Sequence, residues 1–309
     1  MRARDEHLSM NLSGVLFFPV TPFAPDGAVD QEALAVHISQ GVSAGAGAVF
    51  AACGTGEFHA LSPEEIGVCA RVAVTATAGR VPVVIAAGGP PPVVREQARR
   101  IRESGADGVL LLPPYLVQSP QQGLVRYVEE AARAAGLPVI VYQRGNAVLT
   151  PKTATALAGI PGVVGLKDGV GDLESLHRIV RAIRAERAEF QFFNGLPTAE
   201  MTMHAYRGLG VSLYSSAVFA FAPEIALAFH RAFTGGDEET QRVLLDEFYA
   251  PLVELRGQQP GYAVALVKAG VRLRGLDAGG VRAPLMDPAP EDLDRLERLL
   301  DRGLRLVAA

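Results

Sequence analysis

Short apolar, β-branched runs recur along the chain at intervals of a few tens of residues. They fall at positions 15–20, 48–52, 81–87, 108–112, 138–142, 163–167, 190–193 and 211–214. Continuous apolar runs of this length suit strands buried on both faces, as in a parallel sheet. Between them the pattern changes to a helical period, with start and stop signals at the joins. Asp30 opens a helix that runs toward Gly45, and Ser62-Pro63-Glu64-Glu65 sets a capping serine ahead of a first-turn proline and two acids. Ser119-Pro120 and Thr150-Pro151 open two more, and residues 172–187 carry Leu173, Leu176, Ile179, Val180 and Ile183 on one face. Eight strands strictly alternating with helices predict an α/β protein of the (β/α)8 TIM-barrel type rather than an open sheet.

From about residue 222 the strand pattern stops. Residues 222–234, 238–255, 261–274 and 291–306 carry apolar positions at helical spacing. The expected organisation is a barrel whose eight strands lie within 1–221. The last barrel helix and a C-terminal helical extension follow over 222–309, as part of the same structural unit.

Charge and cysteine content narrow the picture. A formal net charge of −4 over 309 residues gives no general attraction to nucleic acid or to an anionic membrane. The densest basic group, Arg95, Arg99, Arg100 and Arg102, sits among helix formers and reads as a solvated helix face. Cys53 and Cys69 are the only cysteines, too few for a disulfide framework and without metal-ligand spacing. Residues 1–11 lack the apolar core of a signal peptide, and no run is long enough to span a bilayer. The expectation is a cytoplasmic protein with no nucleic-acid or membrane partner. The six histidines form no metal constellation: His7, His37, His177, His204 and His230 fall in tail or helical contexts, and only His59 follows a strand end. No metal and no cofactor are expected.

In a barrel of this kind the reactive groups stand at the C-terminal ends of strands. Lys167 follows Val163-Val164-Gly165-Leu166, so an ammonium group is delivered to the end of a buried strand. Desolvation there favours the neutral amine, a nucleophile. The plainer reading is a structural ion pair with Asp168, but successive strand residues point to opposite faces. Tyr142 ends the preceding strand and could relay protons beside that amine, or be a rim tyrosine reaching solvent. Gly54-Thr55-Gly56 offers backbone N–H groups and a hydroxyl to an anion such as a carboxylate, although glycine-rich turns are also common for structural reasons alone. Glu57 reads either as an acid/base group or as a carboxylate ordering nearby amides. Cys53 reads as a small buried residue.

With these motifs placed, the chain resembles the dihydrodipicolinate synthase / N-acetylneuraminate lyase family, through Gly54-Thr55-Gly56-Glu57, Tyr142 and Gly165-Leu166-Lys167-Asp168. The resemblance spans essentially the whole chain. It implies a barrel lysine that forms a Schiff base with a 2-oxo acid, Lys167 and Tyr142 being catalytic, and a homo-oligomer, by resemblance a tetramer. Blocks such as Phe18-Pro19-Val20-Thr21-Pro22-Phe23, Gly195-Leu196-Pro197-Thr198-Ala199-Glu200, Tyr214-Ser215-Ser216-Ala217-Val218-Phe219 and Gly261-Tyr262-Ala263-Val264 are most like a decarboxylating-dehydratase branch. That branch implies a small-molecule 2-oxo sugar diacid as substrate. The carboxylate beside the ketone would sit on Gly54 and Thr55. Arg144, Asn194, Thr198, Ser215 and Ser216 are candidates for the distal carboxylate and hydroxyls. Leu116 stands where the synthases carry a second tyrosine, and Arg144 follows Tyr142 at a shorter spacing than the synthase arginine. Both departures argue against a synthase. The rival expectations are another Schiff-base aldolase or synthase of the family, or a barrel that binds a ligand without catalysis.

Overall fold

The computed structural model describes residues 8–308. His7 and the first seven residues of the segment read for a leader therefore lie outside the described residues. Eight parallel strands close on themselves in sequence order: β1 (Leu16–Phe17), β2 (Ala48–Ala51), β3 (Val83–Ala87), β4 (Gly108–Leu111), β5 (Val139–Gln143), β6 (Val163–Asp168), β7 (Gln191–Asn194) and β8 (Leu213–Ser216). Helices α1 (Gln31–Ala44), α2 (Pro63–Thr77), α3 (Pro91–Ser104), α4 (Gln121–Ala135), α5 (Pro151–Ala158), α6 (Leu173–Arg184), α7 (Met203–Gly208) and α8 (Pro223–Gly235) return the chain from each strand to the next and after β8. The expected (β/α)8 barrel is the observed one.

The start signals act as the sequence implies. Asp30 accepts the Ala33 amide at 2.9 Å, and Ser62 and Glu65 form a reciprocal capping box at the head of α2. Strand ends differ more. The run at 15–20 pairs only over Leu16–Phe17, because Pro19 has no N–H to continue a ladder. The last run, expected to stop at 214, pairs through Ser216, so Ser215 and Ser216 obey strand alternation.

Alternation divides the core into two. One set of strand residues, among them Leu16, Phe18, Phe50, Ala86, Leu110, Ile140, Tyr142 and Phe193, fills the barrel interior. The other, including Phe17, Val49, Ile85, Val109, Val141, Leu166 and Phe192, packs outward with Ile38, Ile66, Ile101 and Ile179 of the helices. Such layering makes the barrel a packed core with its open end at the strand C-termini.

Four further helices follow: α9 (Glu238–Leu244), α10 (Ala250–Arg256), α11 (Tyr262–Leu273) and α12 (Pro290–Ala308). A π-turn at Leu245–Tyr249 joins α9 to α10. It lies just before Pro251, whose ring cannot follow a regular preceding turn. Among the described residues no helix is long and apolar enough to cross a membrane.

Candidate active site at the mouth of the barrel

The register of β5 on β6 sets Tyr142 opposite Lys167 and Gln143 opposite Asp168. One pair therefore points into the barrel and the other toward the helices. Lys167 is 5% exposed, and its Nζ lies 4.0 Å from the Phe18 ring centroid, 4.7 Å from that of Tyr142 and 5.7 Å from that of Phe193. Aromatic walls cannot replace the water that an ammonium ion loses, and among the described residues no carboxylate pairs with it. Burial lowers its pKa from 10.5 to about 7, while the Arg144 charge pushes in the same direction. That shift favours the neutral form of the amine, the form that can act as a nucleophile. Asp168 is occupied on the opposite face. It accepts from Gln143 Nε2 at 2.7 Å, from the Val170 and Gly171 amides at 3.1 and 3.2 Å, and from the Tyr206 hydroxyl.

Two glycines make room for the pair. A Cβ on Gly169 would stand 2.7–2.8 Å from the Tyr142 ring edge and hydroxyl, and one on Gly195 would collide with the Lys167 side chain. The Tyr142 hydroxyl donates to the Gly195 carbonyl at 3.0 Å and accepts from Arg144 Nη1 at 3.3 Å. Burial raises its pKa, with Arg144 opposing the shift. The phenol therefore stays protonated beside the amine, able to give a proton and take one back. Cys53 faces the same interior but is fully buried, and desolvation pushes its thiol up to about 12, which suits a packing residue.

Lys167 and Tyr142 open onto a cavity of about 310 Å³, which Gly54, Thr55, His59, Arg144, Thr198 and Ser215 also line. The loop after β2 is gripped from several sides. Ala52 and Glu57 take left-handed backbone angles, φ 52° and 59°, and Thr21 Oγ1 donates to the Gly56 carbonyl at 2.8 Å. Glu57 is buried, pairs with Lys268 of α11 at 2.8 Å, and accepts the Arg282 amide at 2.8 Å. Of its two sequence readings, the geometry matches the carboxylate that orders backbone, and the backbone it orders is remote in sequence. Among the described residues the Gly54 and Thr55 amides have no intrachain acceptor, which leaves a nest of free donors.

Asn194 and Ser216, placed by sequence at the distal end of the substrate, are turned elsewhere. In register, Lys167 pairs with Phe193 and Asp168 with Asn194, so Asn194 shares the outward face. Its amide donates to Thr202 Oγ1 at 2.8 Å and accepts from the Leu196 amide at 3.0 Å. Ser216, also outward, donates to the buried Glu200 at 2.6 Å. The alternation that fixed Asp168 was already available in sequence for both. Arg256, by contrast, lines the cavity from the end of α10. An arginine in the last turn of a helix reads in sequence only as a dipole partner, and nothing marked it.

A closed parallel barrel with a desolvated amine and a cation-lined cavity at its C-terminal mouth is an enzyme architecture. The dihydrodipicolinate synthetase family model matches residues 11–302, and the chain belongs to that family. A probable 5-dehydro-4-deoxyglucarate dehydratase 1 from Streptomyces coelicolor is 59% identical over 297 residues, 96% of this chain and 94% of the relative. A protein of the same name from Streptomyces avermitilis is 56% identical, covering 96% and 95%. The crystal structure of dihydrodipicolinate synthase from Bacillus clausii superposes with a TM-score of 0.85 at 25% identity, covering 93% of this chain and 96% of the other.

Proposed function

We propose that the protein is a decarboxylating dehydratase that converts 5-dehydro-4-deoxy-D-glucarate to 2,5-dioxopentanoate, carbon dioxide and water, within glucarate catabolism. The observation that carries the chemistry is the unpaired Lys167 amine with Tyr142 in register beside it. The names of relatives 56–59% identical carry the substrate.

The carboxylate next to the ketone rests on the Gly54 and Thr55 donors. Lys167 Nζ attacks the ketone carbon, Tyr142 passes a proton to the departing oxygen, and water leaves to give an iminium. The iminium is an electron sink, so the neighbouring CH2 loses a proton and the hydroxyl on the next carbon leaves as water. The new double bond conjugates the iminium to the carbon that bears the distal carboxylate. The bond to that carboxylate breaks, its electron pair moves toward nitrogen, and carbon dioxide departs. The enol left behind tautomerises to an aldehyde, and water returns to free Lys167. Thr198 and Ser215 are assigned to the hydroxyls and the distal end, and Arg144, whose guanidinium reaches the Tyr142 hydroxyl, to the hydroxyls nearer the ketone, on the support of their place in the cavity lining. We assign neither Asn194 nor Ser216 to substrate.

The reading extends to a cytoplasmic homotetramer. Two free, buried cysteines suit a reducing compartment. Tyr115, Leu116 and Val117, 58–78% exposed beside the mouth, offer an apolar surface for a subunit contact. Sedimentation of the purified protein tests the assembly.

The deciding assay follows carbon dioxide and 2,5-dioxopentanoate from a panel of 2-oxo-3-deoxy acids, with borohydride trapping in parallel. The expected result is carbon dioxide from the deoxyglucarate and a reduced adduct on Lys167, lost in Lys167→Ala. Pyruvate as the product would make the enzyme an aldolase and overturn the reading.

A further inference from the structure

Three cations line the cavity, Arg144, Lys167 and Arg256, and among the described residues its lining includes no Asp or Glu. Lys167 is the nucleophile, and Arg144 directs Nη1 to the Tyr142 hydroxyl at the reacting end. Arg256 is left without a partner charge. It closes α10, is half-buried, and makes no ion pair among the described residues. Its Nη1 donates to Thr198 Oγ1, and burial lowers its pKa. A guanidinium stays charged throughout the usable pH range, so desolvation without a counter-ion is unfavourable until an anion arrives.

Thr198 is shaped to serve this group. It is buried, yet its backbone sits in the left-handed region at φ 53°, ψ 62°, which a β-branched residue seldom adopts. The strained turn holds its hydroxyl against the Arg256 guanidinium. Thr198 follows β7, whereas the Gly54-Thr55 donors follow β2, so the two anion-receiving features stand on separate walls of the mouth. The same cavity lining includes Leu252, Phe221 and Val264. A carboxylate bound at Arg256 would meet a charged fork in a largely apolar cavity.

We infer that Arg256, braced by Thr198, receives the distal carboxylate of the substrate and makes the site select 2-oxo diacids over 2-oxo monoacids. The assignment rests on the Schiff-base reading above and names the residue that fixes its substrate class. It also gives the end of the cycle a physical driving term. When the carbon–carbon bond breaks and carbon dioxide leaves, the charge opposite Arg256 disappears, and the product loses one of its two anionic anchors.

The test compares half-saturating concentrations for borohydride trapping of two ligands, the deoxyglucarate and the corresponding monoacid with CH2OH in place of the distal carboxylate. Pyruvate trapping is the control. In Arg256→Gln the diacid value should rise about 100-fold, as expected for loss of a desolvated charge-assisted contact. The monoacid and pyruvate values should move less than about threefold, because neither reaches the guanidinium. Arg256→Lys should restore part of the preference, and Thr198→Val should fall between wild type and Arg256→Gln. Should Arg256→Gln misfold, as lost pyruvate trapping would reveal, Thr198→Val carries the comparison. Retention of the wild-type diacid preference in a variant that still traps pyruvate would overturn the assignment while leaving the Schiff base intact. A wild-type protein that traps no 2-oxo acid would remove the underlying reading, and this assignment with it.

Discussion

Tyr142 and Lys167 are register partners on β5 and β6, with the lysine nitrogen 4.7 Å from the centre of the phenol ring. The hydroxyl of that ring is fixed between the Gly195 carbonyl and the Arg144 guanidinium. The proposed proton relay and nucleophile are thereby held on rigid strands rather than on loops, which keeps their separation independent of loop motion.

Removing only the hydroxyl tests the relay. Tyr142→Phe should lower kcat by roughly 10²–10⁴-fold, the usual worth of a positioned acid/base group, with a melting temperature close to wild type. The readout is the rate of adduct formation against a thermal melt. An unchanged rate would take Tyr142 out of proton transfer.

The depressed lysine pKa favours activity and costs stability at neutral pH, and both should rise with pH. Below about pH 7 Lys167 is protonated and unreactive, so the trapping rate should rise through that pH and then level, far below the 10.5 of an ordinary lysine. For stability the folded pKa lies under the unfolded one. Between about 7 and 10.5 the unfolded chain binds more protons, and the unfolding free energy gains with rising pH across that window. Lys167→Met should therefore be more stable than wild type at pH 7 by a few kcal/mol, with the advantage fading toward pH 10. Denaturant titrations at several pH values would show it. A Met variant that is less stable at neutral pH would contradict a strained amine.

The Glu57–Lys268 pair joins the β2 loop to α11 with both side chains wholly buried. Lys268→Met leaves Glu57 as an uncompensated buried charge and should reduce stability by about 3–5 kcal/mol. The double variant Glu57→Gln with Lys268→Met should recover much of that loss. Both should raise KM for 2-oxo acids through the loosened Gly54-Thr55 loop. Equal stability of the single and double variants would argue that the pair is not coupled.

Gly195→Ala offers a steric test. Its added methyl would collide with the Lys167 side chain and stand 2.9 Å from the Asp168 carbonyl. Activity should drop by at least about tenfold, since small displacements of reacting groups are heavily penalised. Circular dichroism should show the barrel retained. Wild-type turnover would mean that Lys167 does not need this rotamer.

Local regularities in the sequence determined the barrel. Eight buried apolar runs, capped helices between them and a lysine ending the sixth run are near-neighbour patterns, and such patterns dictate alternation and element type. The same alternation sorts Lys167 and Ser215 inward and Asp168, Asn194 and Ser216 outward once a strand's true end is known. Strand ends were the harder matter: β8 runs two residues beyond its apolar stretch, because pairing with β1 at Ser215 and Ser216 supplies hydrogen bonds that no hydropathy pattern records. Tertiary structure alone decided what the C-terminal helices do. Lys268 reaches Glu57 across 211 residues and Arg256 reaches Thr198 across 58. Contacts over such separations arise from how α10 and α11 fold back over the barrel mouth. A side chain's own neighbours in sequence carry no imprint of them.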